Sequence, residues 1–305
     1  MIVESRRGAG PSAIALLAAS LRPEQWTKNL LLFAGLIFGG RLLDPGAIGS
    51  ATAAFAIFCA LSGGIYLVND IWDREVDRLH PLKQARPITS GALPVGTAVA
   101  AASVIGTGAI ALATVIGVPF AAYAIAYASL LVLYSTVLKH IVIVDVLTVA
   151  GGFVLRAGAG AAAVDVPIGP WLLTCTTLLA LFLALSKRRH ELMLLGDDAG
   201  QHRRSLGEYS PYLLDQMIAV VTASTVIAYA VFATSAETAE RLGTGYLGLT
   251  IPFVLYGIFR YLYLVHQKRG GGDPAAMLTT DPPLLACVAL WAATVVLLMY
   301  SPLGL

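Results

Sequence analysis

The sequence predicts an all-α integral membrane protein with nine transmembrane helices, and three observations carry that prediction. Hydrophobic residues make up 57% of the 305-residue chain and charged residues only 12%, where a soluble globular chain has about 25% charged. The mean hydropathy is +0.78. Nine apolar stretches approach the roughly 20 residues a membrane helix needs: 26–42, 47–69, 95–117, 119–137, 141–164, 170–186, 212–234, 246–265 and 284–301. None alternates with a sustained period of two, which argues against a β-barrel. So much apolar surface behind so few charges excludes a soluble domain, a disordered chain, a coiled coil and a disulfide-rich secreted module. The net charge of +2 provides no strong field of the kind nucleic acid attracts, and no nucleic-acid partner is expected.

The elements follow in order along a chain that reads as one domain, 1–305. In the segment 1–25, Arg6 and Arg7 precede the apolar run Ala13–Leu21. That run is short, and Arg22, Pro23 and Glu24 follow it. The segment therefore reads as a cytoplasmic or interfacial helix, with a cleaved signal peptide as the alternative. Stretch 26–42 contains Gly35-x-x-x-Gly39, and 141–164 contains Gly158 and Gly160; small residues at such spacings suit close packing in lipid. Cys59, Cys175 and Cys287 each sit inside an apolar run with no CxxC, as small core residues do. After 246–265, Gly270–Gly272 followed by Asp273-Pro274 reads as a flexible loop.

Charge orients the bundle. With a cytoplasmic N-terminus, 16 of the 20 basic residues fall on the inner side, two (Arg41 and Arg241) fall outside, and two (Arg156 and Arg260) lie within spans. The positive-inside rule supports that orientation and the count of nine, because one helix more or fewer would invert every later loop. Nearly all polar chemistry then collects at the inner ends of the second, fourth, sixth and eighth spans. The site is expected there, facing the cytoplasm from the inner membrane.

The strongest constellation is Tyr66-Leu-Val-Asn69-Asp70-Ile-Trp-Asp73-Arg-Glu-Val-Asp77. Asn69, Asp73 and Asp77 stand at i, i+4 and i+8, on one helix face, with Tyr66 a turn earlier. Three oxygen-bearing side chains in a row suit Mg²⁺, which shares its shell with water and substrate phosphate. The alternative is a solvated helix end with Asp77 paired to Arg74 or Arg78. Next comes His80-Pro-Leu-Lys83-Gln-Ala-Arg86-Pro87. Its prolines prevent a continuous helix, and Lys83 and Arg86 can reach phosphate oxygens over the row or serve as ordinary inner-side charge.

These residues resemble the first aspartate-rich motif of the UbiA superfamily of intramembrane prenyltransferases, and the resemblance covers nearly the whole chain. It implies nine helices around a central cavity and Mg²⁺-dependent diphosphate chemistry. Within the superfamily, Leu21-Arg22-Pro23-x-Gln25-Trp26-x-Lys28-Asn29, Tyr66-Leu-Val-Asn69-Asp70 and His80-Pro-x-Lys83 are similar to the decaprenyl-phosphate phosphoribosyltransferases. That similarity implies transfer of 5-phosphoribose from 5-phosphoribosyl 1-diphosphate to a polyprenyl phosphate, leading to the arabinose donor of cell-wall polysaccharide. Where most superfamily members carry a second acidic motif after the sixth helix, this chain reads Ser186-Lys187-Arg188-Arg189-His190-Glu191. Extra cations fit a donor with a 5-phosphate and an acceptor that is itself a phosphate. Asp197 and Asp198 just downstream keep prenyl transfer open, and Lys187–Arg189 also reads as a plain membrane-flanking run.

Two of the charges inside spans matter further. Asp145 and Arg156 are 11 residues apart, on one face but about 16 Å apart along the axis. Arg156 reads as a phosphate contact beside the small residues Ala157–Gly160, which leave room for a ligand, or as the partner of a carboxylate on a neighbouring helix. Asp145 orients Lys139 or Arg156, or sits near the ribose; Arg260 and Asp215 read as structural. The resemblance gives Asn69, Asp73 and Asp77 the catalytic metal. Lys28, Tyr66, Asn69, Lys83, Arg86, Tyr134, Arg156, Lys187 and Arg188 become candidates for the donor, and Lys28 and Lys139 for the lipid phosphate. Prenyl transfer to an aromatic or lipid acceptor is the second reading and a non-enzymatic carrier the third. The gathering of charge at one membrane face disfavours the carrier. A homo-oligomer is compatible with the sequence.

Overall fold

Apolar runs flanked by charge leave the backbone nothing but itself to bond within lipid, so they fold as helices. The computed structural model describes residues 12–79, 83–196, 199–268 and 270–300, the side chains of 201 and 202 excepted. His80, Asp197, Asp198, Arg6, Arg7 and Arg269 lie outside the described residues. Among the described residues there are helices and no strands. They are α1 (Ala13–Ser20), α2 (Phe33–Phe38), α3 (Pro45–Trp72), α4 (Arg74–Arg78), α5 (Val95–Ile116), α6 (Val118–Thr136), α7 (Val144–Ala163), α8 (Pro170–Leu195), α9 (Ala199–His202), α10 (Pro211–Thr234), α11 (Ala236–Leu242), α12 (Ile251–Gln267), α13 (Pro274–Thr280) and α14 (Pro282–Tyr300).

Eight described helices are long and apolar enough to cross a bilayer. They match eight of the nine expected stretches. The other, 26–42, is not a single α-helix. A 3-10 segment, Pro23–Leu32, leads into α2, which ends at Phe38 with Gly39 as its cap. A 3-10 helix rises about 2.0 Å per residue against 1.5 Å in an α-helix. This composite therefore reaches about 29 Å, close to the roughly 30 Å of a hydrocarbon core. The sixth stretch also differs. Its helix does not stop near residue 186 but runs on to Leu195, so the basic run is helical and not a loop.

Neighbours in sequence pack as neighbours in space: α3 on α5, α6 on α7, α7 on α8, α8 on α10 and α12 on α14. The last helix closes on α2, where the Tyr300 hydroxyl donates to the Ile37 carbonyl at 2.7 Å. The innermost long helices are α3 and α7, with 61% of the apolar stretch buried in each against 11% to 33% elsewhere. Glycine makes the closest crossing possible. A Cβ on Gly160 would lie 2.1 Å from the Leu32 carbonyl oxygen, and one on Gly35 would lie 2.6 Å from the Ala161 nitrogen. The small residues after Arg156 thus do not open room for a ligand as expected. Backbone fills the space at Gly160, and the Tyr123 ring fills it at Gly158, where a Cβ would come within 2.4 Å.

The helix α1 lies against the charged end, its Leu16 and Leu17 packing with Leu67, Ile88 and Leu93. At 28 and 26 residues, α3 and α8 exceed the roughly 20 residues a crossing needs. Their C-terminal turns lie at this one end and carry many of the polar side chains.

Candidate active site

The row proposed from spacing survives a break in the helix. Although α3 ends at Trp72 and α4 begins at Arg74, the Asp73 N–H donates to the Asn69 carbonyl at 2.9 Å and the Asp77 N–H to the Asp73 carbonyl at 2.8 Å. The i, i+4, i+8 face is therefore continuous. Each carboxylate in it has a cation. Lys139, on the turn after α6, pairs with Asp73. Arg86 pairs with Asp77, and Lys83 lies 3.5 Å from it. Asp77 does not pair with Arg74 or Arg78; Arg78 is taken by Glu75. Partial burial, together with Arg86 nearby, holds the Lys83 ammonium below its usual range against the pull of Asp77.

Asp70 and Arg22 are the residues sequence reasoning missed. Asp70 is only 2% exposed and accepts from both Arg86, at 3.1 Å, and Arg22. Arg22 stacks 4.9 Å above the Tyr66 ring and holds a left-handed backbone, φ +52°. A buried carboxylate requires such pairing. Asp70 stands beside Asn69 in the motif, which was the available signal. Its partner is 48 residues away, so nothing local revealed it.

A second, largely buried network joins α6, α7 and α8 with Tyr209. The Asp145 carboxylate accepts from Arg188 Nε at 2.8 Å and from the Tyr209 hydroxyl at 2.8 Å. Arg188 also donates to the Tyr134 hydroxyl at 3.0 Å and pairs with Glu191. Each of the three guanidinium nitrogens of Arg188 thus has a protein partner, and the expected phosphate contact is not where the geometry puts this residue. Asp145 orients Arg188, not Lys139 or Arg156. The turn bearing Lys139 is held from two sides: the Ser205 hydroxyl donates to the Lys139 carbonyl at 2.7 Å, and the Ile143 N–H donates to the Tyr209 hydroxyl at 2.7 Å.

Arg156 has no carboxylate partner among the described residues. Its Nε donates to Asn29 Oδ1 at 2.8 Å and one terminal nitrogen to the Tyr127 hydroxyl at 2.6 Å. The guanidinium rests 4.7 Å from the Tyr127 ring centre and 5.0 Å from that of Phe153. Lys28 and Lys187 have no hydrogen bond or ion pair among the described residues, and both lie within electrostatic reach of other cations: Arg156 and Arg22 for Lys28, and Arg188 and Arg203 for Lys187. Arg260 pairs with Asp281, and Asp215 with Arg189.

Beside these cations lies an apolar cavity of about 520 Å³ between α2, α8, α10, α12 and α14. Leu30 and Leu31, next to Lys28, line it at the charged end with Pro274 and Leu278, and Phe38 and Trp291 line it towards the other. The residues lining the cavity are uncharged, and Leu30 and Pro274 bring it near Lys28 and Asp273 in sequence.

Comparison with known proteins agrees with this architecture. The model of the UbiA prenyltransferase family matches residues 11–281. Decaprenyl-phosphate phosphoribosyltransferase of Corynebacterium glutamicum is 33% identical over 294 residues, covering 92% of this chain and 86% of the relative. Its Mycolicibacterium smegmatis counterpart is 30% identical over 310 residues, covering 97% and 96%. Among solved structures, a UbiA homologue from Archaeoglobus fulgidus bound to GPP and Mg²⁺ superposes with a TM-score of 0.72 at 20% identity, covering 93% of this chain and 99% of that one. That likeness bears on the fold. Matched over most of its length, the chain is a multi-pass membrane transferase that belongs to the UbiA prenyltransferase family.

Proposed function

We propose that this enzyme transfers 5-phosphoribose from 5-phosphoribosyl 1-diphosphate to a polyprenyl phosphate. The charged end faces the cytoplasm of the plasma membrane, and the product serves as precursor of a lipid-linked arabinose donor for cell-wall polysaccharide. The observation that carries the reading is the surplus of cations around a single acidic row. Glu191, the one acid on α8, is committed to Arg188, while Lys28 and Lys187 carry no ion pair among the described residues. A diphosphate alone does not require that surplus; a 5-phosphate and a lipid phosphate do. The names of the relatives support the same substrates.

Asn69, Asp73 and Asp77 fit Mg²⁺. They offer hard oxygen donors, and no group of three or more acidic, His or Cys side chains converges among the described residues. The protein would thus supply part of a shell that phosphate and water complete, as this ion prefers. When bound, the ion neutralises charge on the departing diphosphate. Lys83, Arg86 and Lys139 are the cations nearest a diphosphate held at the row. Lys187 and Arg156 hold the 5-phosphate and ribose, and Arg188, through Tyr134 and Glu191, fixes the wall they project from. Lys28 meets the lipid phosphate at the mouth of the apolar cavity. An oxygen of that phosphate attacks ribose C1 as the C1–O bond breaks and its electron pair leaves with diphosphate. The acceptor is already an anion, so no general base is needed. Catalysis is positioning and charge neutralisation.

Purified protein given 5-phosphoribosyl 1-diphosphate, polyprenyl phosphate and Mg²⁺ should release diphosphate and form a lipid-linked phosphoribose, and EDTA should stop both. Diphosphate release only from a prenyl diphosphate would establish prenyl transfer instead.

A further inference from the structure

The turn that follows Lys139 is strained. Ile143, the residue before α7, has φ +68° and ψ −46°, and the Val144 N–H donates to the Val142 carbonyl at 2.8 Å. A bond of that span with angles of about +75° and −65° marks the rare form of γ-turn. Of the three non-glycine residues at positive φ among the described residues, Ile143 alone is β-branched. A β-branched residue there is a steric outlier, and such strain persists only where the surroundings over-determine it.

Here a hydroxyl from another segment holds the turn. Ile143 caps α7 without a side-chain hydrogen bond, and its N–H donates to the Tyr209 hydroxyl at 2.7 Å. That hydroxyl donates in turn to Asp145 Oδ1 at 2.8 Å. Asp145, 0% exposed, accepts at its other oxygen from Arg188 Nε at 2.8 Å. Tyr209, on the segment between α9 and α10, therefore ties two walls together. One is the γ-turn, which continues from Lys139; the other, through Asp145 and Arg188, is the part of α8 that bears Lys187. The Ser205 hydroxyl, on the same segment, holds the Lys139 carbonyl as well. Asp145 and Tyr209 are too buried to meet a soluble donor themselves, so what they can act on is where the lysines stand.

We propose that Tyr209 is a positioning residue for the donor: by fastening the γ-turn at Ile143 to Asp145 and Arg188, it sets the separation of Lys139 from Lys187 to suit a diphosphate and a 5-phosphate carried on one ribose. The assignment rests on the donor reading above.

The test titrates the purified full-length chain, in Mg²⁺, with 5-phosphoribosyl 1-diphosphate, inorganic diphosphate and ribose 5-phosphate, and repeats the three titrations on Tyr209→Phe. A fragment can follow the lysine it meets, whereas the whole donor must reach both. Tyr209→Phe should bind the donor about tenfold more weakly and each fragment within about twofold of wild type. Unchanged donor affinity would overturn the proposal. Equal weakening of all three ligands would do so too, because it would show a hydroxyl that only supports the fold.

Ile143→Gly separates strain from packing. Glycine takes positive φ freely, and the Ile143 side chain is 46% exposed. This variant should bind the donor as wild type does. Combined with Tyr209→Phe, it should regain about threefold of the lost affinity, since the turn then forms without its clamp. A double variant neither better folded nor tighter binding than Tyr209→Phe alone would overturn the proposal, whatever the folded yield of the single variant. Failure of the donor reading shows earlier, in wild type. The donor would then bind no more tightly than inorganic diphosphate, and this inference would fall with that reading.

Discussion

Asp73 sits at the centre of the oxygen-bearing row and also holds Lys139, so on the proposed reading its charge would serve both a metal ligand set and a basic side chain. Asp73→Asn keeps the shape and removes the charge. We expect turnover to fall by about a hundredfold or more, as for loss of a preorganised electrostatic group, with the folded yield retained; near-normal activity in metal-free buffer would remove the row from the mechanism. Lys187→Ala should weaken donor use by about 10- to 100-fold, the worth of one charge-assisted contact. It should have little further effect on a donor already lacking its 5-phosphate, whereas a lysine that only anchors α8 at the headgroups would leave the donor KM unchanged. Lys83 adds a pH signature. Its ammonium is held below the usual lysine range by partial burial, so raising the pH removes its charge earlier than for a free lysine, and donor binding should weaken on that alkaline limb. Lys83→Arg, which stays charged, should move the limb to higher pH; an unchanged profile would take Lys83 out of the donor site. Most of this was legible in spacing, because residues one turn apart share a face. Asp70 and Arg22 were not, because their pairing joins segments 48 residues apart.

At the scale of elements, the crossing of α7 with the 3-10 segment sets where Arg156, Asn29 and Lys28 stand. Gly160 touches the Leu32 backbone, which cannot swing aside as a side chain can. Gly160→Ala should therefore destabilise the fold by about 1–3 kcal/mol, as overpacking does, and displace Asn29 from Arg156. Gly49, in α3, has open space around its Cβ position. Gly49→Ala should raise stability by about 0.5–1 kcal/mol through helix propensity. Thermal melts of the pair, with opposite signs expected, separate close packing from a general intolerance of alanine. The sequence announced small residues here but not their use: a glycine that leaves room and a glycine that is packed against backbone look the same until the partner chain is placed. The same limit hid the 3-10 geometry. Apolar content marks 26–42 as a membrane segment, but hydropathy does not distinguish a 2.0 Å rise per residue from a 1.5 Å one. Nor did it separate the apolar part of α8 from the basic turns that extend it to Leu195.

For the whole molecule, the distribution of charge was the most legible feature, since it depends on which loops carry lysine and arginine and not on any contact. What it left open is whether the composite Pro23–Phe38 crosses the membrane. Its reach of about 29 Å follows from ten residues of 3-10 helix and six of α-helix, just enough for the hydrocarbon core. If it crosses, Glu24 and Leu43, both exposed, stand on opposite sides, and the eight long helices that follow place Lys268 with Glu24 and Glu240 with Leu43. Single cysteines at these four positions, in a background with Cys59, Cys175 and Cys287 replaced, report the arrangement with a membrane-impermeant thiol reagent on whole cells. Leu43→Cys and Glu240→Cys should label at once, and Glu24→Cys and Lys268→Cys only after permeabilisation. Labelling of all but Lys268→Cys from outside would show that the composite does not cross. The reverse of the expected pattern would turn the charged end, and the substrate-binding site with it, away from the cytoplasm where a water-soluble phosphoribosyl donor is found.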